Sequence, residues 1–94
     1  MIIATLSYKV PLEKVDAHLE AHKAWLRNAM DQGLLSLAGR KVPRTGGVLL
    51  SLADRPAFEA CVAQDPFSVH GVADYDLTEF APTAADATFA FLLD

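Results

Sequence analysis

The chain has 94 residues, 52% of them hydrophobic, and its 8 basic and 12 acidic side chains give a net charge of −4. This length and hydrophobic content suit one folded domain with a single core. The acidic balance argues against nucleic-acid binding, which needs a concentrated positive patch, and against binding to anionic membranes. No apolar stretch reaches the ~20 residues of a membrane span, and the apolar start lacks the basic segment of a signal peptide. With only one cysteine, no internal disulfide can form, so we expect a cytoplasmic protein.

Strand-like composition occurs four times along the chain, and helical patterns follow the first and third of these segments. The first helix is predicted from Leu12 to about Gly33, where a glycine suits the C-cap. The second begins after Asp54, an N-cap residue, and a short turn follows at Asp65-Pro66-Phe67. The predicted strands cover residues 2–9, 34–39, 48–52 and 75–80.

The order βαββαβ predicts an α+β, ferredoxin-like fold, in which a four-stranded antiparallel sheet carries both helices on one face. The other face is then bare, and a second copy of the chain is the usual cover for such a face. Residues 1–82 are expected to form this domain. Residues 83–94 form an apolar tail that we expect to dock at a subunit contact, so the chain is predicted to be a homodimer or a larger assembly.

His22 lies on the apolar stripe of the first predicted helix, where a core residue is expected. The stripe consists of Val15, Leu19, His22, Leu26 and Met30. His22 is either a core histidine bonded to a backbone carbonyl or a general acid/base beside a pocket. Asp65 is the candidate carboxylate that would orient it, although an aspartate before a proline is also an ordinary N-cap. Both roles are compatible, because a carboxylate accepts several hydrogen bonds.

Other polar and aromatic residues are weaker candidates. His18 and His22 have the spacing of two metal ligands, but a third ligand is not evident, so we predict no metal site and place His18 at the pocket edge or in solvent. Cys61 is expected to be a small core residue rather than a nucleophile. Gly46-Gly47 does not fit a phosphate-binding loop, so no nucleotide or other cofactor is expected. Further candidates for lining a pocket are Tyr8, Trp25 and Ser36.

Five short motifs follow one another in a characteristic order. They are His18-x3-His22-x2-Trp25-Leu26, Gly33-x-Leu35-x3-Gly39, Gly46-Gly47-Val48-Leu49, Asp65-Pro66-Phe67 and Glu79-Phe80. Their order resembles that of the YciI-like (YCII-related) proteins over about residues 1–82. This resemblance implies a dimeric α/β barrel and a pocket with a His–Asp pair proposed as catalytic, to which His22 and Asp65 correspond. Many relatives have Gly-Pro where this chain has Gly39-Arg40, so Arg40 is expected to alter the pocket rim or the substrate charge that it favours.

Three functions are consistent with these residues. The first is a small enzyme that needs no cofactor and uses His22 and Asp65 for elimination or isomerisation of a small organic molecule; a dehydrochlorinase-like lyase role is known in the wider family. The second is a noncatalytic ligand-binding or regulatory dimer with the same pocket. The third, a cofactor-free monooxygenase, has only the analogy of the fold in its favour.

Overall fold

The computed structural model describes residues 1–93. The strands are β1 (Ile2–Tyr8), β2 (Leu37–Arg40), β3 (Gly46–Ser51) and β4 (Ala73–Glu79). The α-helices are α1 (Leu12–Ala17), α2 (Leu19–Asp31), α3 (Arg55–Val62) and α4 (Pro66–Val69), and a 3₁₀ helix covers Ala87–Leu92. None of the helices in this described part of the chain is long and apolar enough to cross a membrane.

The four strands form one antiparallel sheet in the order β2-β3-β1-β4. The predicted α+β, ferredoxin-like fold is therefore confirmed. Strand β1 is central, and its Ala4 pairs with Leu49 of β3 and with Leu77 of β4. Strands β1 and β3 are therefore the two inner strands of the sheet.

The two faces of the sheet differ sharply in burial. Ile2, Ala4 and Leu6 alternate along β1 and are at most 2% exposed, because they pack in one core with the helices. On the opposite face, Val48 is 38% exposed and Leu37 is 64% exposed in the single chain. The helices thus cover one face only, as the strand order predicts.

The first helical region departs from the prediction of one continuous helix. Residue His18, with φ −111° and ψ 6°, ends α1 and begins α2. The buried line of α2 runs through His22 and Ala29, seven residues apart, so Met30 lies at its edge and is 41% exposed. The prediction of Met30 as a core residue is therefore wrong, and Ala29 takes the buried position.

Strand β2 is shorter than predicted and begins three residues later. Gly33, with φ 74°, reverses the chain after α2, and the N–H of Leu34 bonds to the carbonyl of Ala29 at 2.9 Å. Leu35 is 3% exposed. The apolar pair after Gly33 thus closes the helix end and fills the core before strand pairing starts.

The C-terminal segment carries exposed aromatic side chains. Asp86 caps the 3₁₀ helix by accepting from the N–H of Thr88 at 3.0 Å. Phe89 is 54% exposed and Phe91 is 75% exposed in the single chain. Docking of residues 83–94 at a subunit contact stays a prediction, and its last residue, Asp94, lies outside the described residues.

Candidate active site

The site begins with the local structure around Asp65. Pro66 fits the first turn of α4, where its missing N–H leaves no bond unmade. Asp65 caps this helix, because its Oδ1 accepts the N–H of Phe67 at 3.0 Å. The side chain is 0% exposed, so the cap points inward rather than into solvent. The helix cap therefore holds the Asp65 carboxylate in the interior, where its oxygens require further hydrogen-bond donors.

His22 provides one of those donors from helix α2. Its Nδ1 lies 2.8 Å from Asp65 Oδ1, and the histidine is 9% exposed. Since an ionised carboxylate only accepts hydrogen bonds, the proton of the neutral imidazole belongs on Nδ1. The lone pair then remains on Nε2, at the opposite side of the ring.

Tyr75 supplies the third donor, from strand β4. Its hydroxyl donates to Asp65 Oδ2, so both carboxylate oxygens are bonded. Burial, followed by the hydrogen bond and the charge of Asp65, raises the pKa of Tyr75 above its ordinary range. The tyrosine thus stays protonated and remains a donor. The sequence predicts Tyr75 as part of the last strand and gives no signal of a role at the site.

Aromatic packing holds the imidazole in place. The ring of Phe67 stacks on His22 with centroids 4.0 Å apart and an interplanar angle of 3°. Trp25 lies 5.8 Å from the imidazole centroid at 25°. The indole Nε1 is itself fixed by a 3.1 Å hydrogen bond to the Cys61 carbonyl. The imidazole therefore has a defined orientation as well as a defined tautomer.

A cavity of about 440 Å³ opens beside His22. Of the predicted lining residues, Tyr8 and Arg40 are on its wall. Its other walls come from α2, the three strands β1 to β3 and the start of α4. The lining residues are Leu6, Tyr8, Leu19, His22, Lys23, Leu26, Ala38, Gly39, Arg40, Arg44, Gly46, Gly47, Leu49 and Phe67.

Three other predicted residues do not line this cavity. His18 stacks on His70 instead, with centroids 4.2 Å apart and an angle of 13° between the rings. Trp25 contacts His22 from outside the cavity. Ser36 is exposed and its backbone N–H donates to the Leu50 carbonyl at 2.8 Å. Within residues 1–93, no three metal-ligating side chains come together.

The single cysteine is poorly suited to nucleophilic chemistry. Cys61 is 9% exposed, and burial, with a smaller effect of the Asp65 charge, raises the pKa of its thiol. The reactive thiolate is therefore disfavoured. This environment matches the prediction of a small core residue.

Lys23 and Arg44 also line the cavity, and neither is among the lining residues that the sequence predicts. The nearest sequence signal for Lys23 is its place beside His22, and it is a weak one, because adjacent residues of a helix do not share a face. Arg44 has no comparable signal, because the path of the β2–β3 connection decides its position.

The raised pKa of Tyr75 gives a spectroscopic prediction. Below about pH 10 the tyrosine is protonated in both folded and unfolded chains. Above that pH it ionises in the unfolded chain first, so its contribution to folding stability is lost as the pH rises. In a Tyr8→Phe variant, which retains Tyr75 as its one tyrosine, we expect no phenolate absorbance at 295 nm near pH 10 while the protein is folded. The same variant unfolded in urea should titrate near pH 10; equal titration in both states would contradict the buried hydrogen bond.

Comparisons with known proteins agree with this architecture. A model of the YCII-related domain matches residues 1–81. Among solved structures, the chain is similar to 5-chloro-2-hydroxyhydroquinone dehydrochlorinase from Burkholderia phenoliruptrix AC1100, in complex with 2,5-dihydroxybenzoquinone. The TM-score is 0.68 and the sequence identity 18%, over 85% of this chain and 93% of the other. At this identity the likeness shows a shared fold. A search of proteins with curated functions gave no significant match.

Proposed function

The chain belongs to the YCII-related domain family, and we propose that it is an enzyme that uses His22 to move a proton on a small organic molecule. The observation that carries this proposal is the buried His22–Asp65 pair, 2.8 Å apart, at the wall of a cavity of about 440 Å³. A cavity of this volume suits a small ligand. A general base must also reach its substrate, and His22 lines the cavity while Asp65 lies behind it.

The hydrogen bonds define how the pair would work. With Nδ1–H donated to Asp65, the free lone pair on Nε2 takes a proton from a substrate carbon. The positive charge that forms on the imidazole is stabilised by the carboxylate, whose own position is held by Tyr75 and by the α4 cap. The electrons of the broken C–H bond then form a double bond to the neighbouring carbon, which releases an electron pair either to a leaving group or by the shift of an existing double bond.

Two outcomes are possible once His22 has taken the proton. In elimination, a leaving group departs from the neighbouring carbon with its bonding pair. In isomerisation, the imidazolium returns the proton to another carbon. Elimination has the additional support that the similar solved structure is a dehydrochlorinase. Because the two chains are 18% identical, this support concerns the type of reaction and not the particular substrate.

A noncatalytic ligand-binding protein is the second candidate. The observation in its favour is that Asp65 already caps α4 and accepts from Tyr75. The carboxylate thus has a structural task that requires no catalysis, and the histidine would only shape the cavity.

A screen for proton exchange separates the two candidates. Small carbon acids with a leaving group are incubated with the protein in deuterated water, and deuterium at carbon and release of the leaving group are followed by NMR. An enzyme should exchange or eliminate at least one compound in a reaction that depends on His22. Compounds that bind without either change would support the ligand-binding candidate.

We also propose that the chain forms a homodimer through the bare sheet face. The partly exposed Val48 and the exposed Leu37 form an apolar surface there, and the aromatic tail adds further apolar area. Light scattering should give twice the 10.1 kDa chain mass. Val48→Lys is expected to reduce this mass to that of one chain, whereas Val42→Lys, in the β2–β3 connection at a position 94% exposed, should not. A wild-type mass of one chain would contradict the dimer.

A further inference from the structure

The cavity beside His22 is lined by positive charge in a protein that is acidic overall. Lys23, Arg40 and Arg44 are on its wall, and no acidic side chain of residues 1–93 lines it. The whole chain has 12 acidic and 8 basic residues. If charged residues were distributed evenly, the cavity wall would carry more acidic than basic side chains. It carries three basic side chains and no acidic one. This distribution favours a negatively charged ligand.

The three cations differ in how they are already paired. Arg44 donates to Asp16 at 2.5 Å, and Lys23 lies 3.4 Å from Glu20. Arg40 makes no ion pair with any residue of the described chain. Its guanidinium therefore retains its donors for a ligand. A planar guanidinium can hold a carboxylate through two parallel hydrogen bonds.

The remaining walls favour an apolar, flat body for this ligand. Leucines from β1, β3 and α2 face the cavity, and the ring of Phe67 continues the same wall. Gly46 and Gly47 of β3 complete the wall with backbone only, and their missing side chains let the strands approach Leu6 and Gly39 closely. A ring system can lie against this surface while its charged end points to the rim.

We propose that the cavity binds small planar organic anions, an aryl carboxylate or an ionised ring hydroxyl, and that Arg40 selects them by binding the negative group. The inference rests on the proposed function to the extent that both concern one cavity. It adds a charge requirement that proton transfer by His22 does not demand. Positive charge at the rim would also stabilise the negative charge that develops on the ligand when His22 removes a proton.

Binding of matched charged and neutral probes tests this inference without any turnover. Benzoate and benzamide have nearly the same shape and differ in charge at pH 7, and salicylate and salicylamide form a second pair. Calorimetric titration of the wild-type protein should show each carboxylate binding about tenfold or more tightly than its amide, the ratio expected of one charge-assisted hydrogen bond. Added salt should reduce this ratio.

Arg40→Gln should bring the ratio close to one, whereas Arg40→Lys should retain part of it. Arg27→Gln is the matched control, because it removes the same charge from an exposed position of α2 outside the cavity. Equal binding of acid and amide, absence of binding by both, or equal effects of Arg40→Gln and Arg27→Gln would overturn the inference. His22→Gln should retain the preference for anions, so loss of the proposed catalysis and loss of anion selection are separately visible.

Discussion

The His22→Gln variant is expected to turn over a substrate of this protein about 10²- to 10⁴-fold more slowly than the wild type, the usual contribution of a general base. Glutamine is close to histidine in length, and its amide can donate to Asp65. It cannot take a proton from carbon at neutral pH. The loss should therefore appear in kcat, measured at saturating substrate. The melting temperature should stay close to the wild-type value, because the fold keeps its hydrogen bond to Asp65.

His70→Gln is the matched control for this loss. His70 is exposed, stacks on His18 and does not line the cavity, so the same chemical change there should leave kcat near the wild-type value. A His22→Gln protein that works at the wild-type rate would remove the general-base role. The ligand-binding candidate would then be the better account of the same geometry.

The fold could be predicted from the sequence because its main signals are local. Apolar residues alternate along β1 and β4, and two aspartates stand where helices begin. Asp54 caps α3 by accepting from the N–H of Ala57 at 2.9 Å, and Asp65 caps α4 in the same manner. These signals fix the order of the elements, and the order restricts the topology to few possibilities.

The helix break at His18 has no such signal. The apolar spacing of Val15, Leu19 and His22 is that of one uninterrupted helix, and periodicity reports which side of the chain is buried but not whether the backbone is continuous. The break becomes visible through the backbone angles at His18. The break has only a local effect on packing, since Val15 before it and His22 after it are both buried.

The site could be predicted only in part, for a related reason. An imidazole on an apolar stripe is a conspicuous departure from the pattern, so His22 stands out. Tyr75 does not, because a tyrosine in an alternating strand is an ordinary half-buried residue. Its role depends on β4 pairing with β1, where Tyr75 lies opposite Leu6. This long-range register brings the hydroxyl to a carboxylate ten residues earlier in the chain.

Asp65→Ala is expected to lower the free energy of unfolding by about 3–5 kcal/mol, because each buried donor left without its acceptor costs about 1–3 kcal/mol. Three donors converge on this carboxylate, from His22, from the Phe67 backbone and from Tyr75. Alanine would leave all three without their acceptor in the interior, and helix α4 would lose its cap. Urea unfolding measures the change.

Asp54→Ala separates the cap from the buried network. Asp54 is also an N-cap aspartate, but it is exposed, and within residues 1–93 its side chain forms one hydrogen bond, the cap itself. Its removal should cost about 1 kcal/mol. Similar losses for the two variants would mean that Asp65 acts only as a cap.

The loss of unfolding free energy in Asp65→Asn should fall between those of Asp65→Ala and Asp54→Ala. The asparagine amide oxygen can retain the α4 cap and the His22 bond, while the negative charge that would stabilise an imidazolium is lost. A large fall in kcat with a small fall in stability in that variant would therefore assign the charge of Asp65 to catalysis and its shape to the fold.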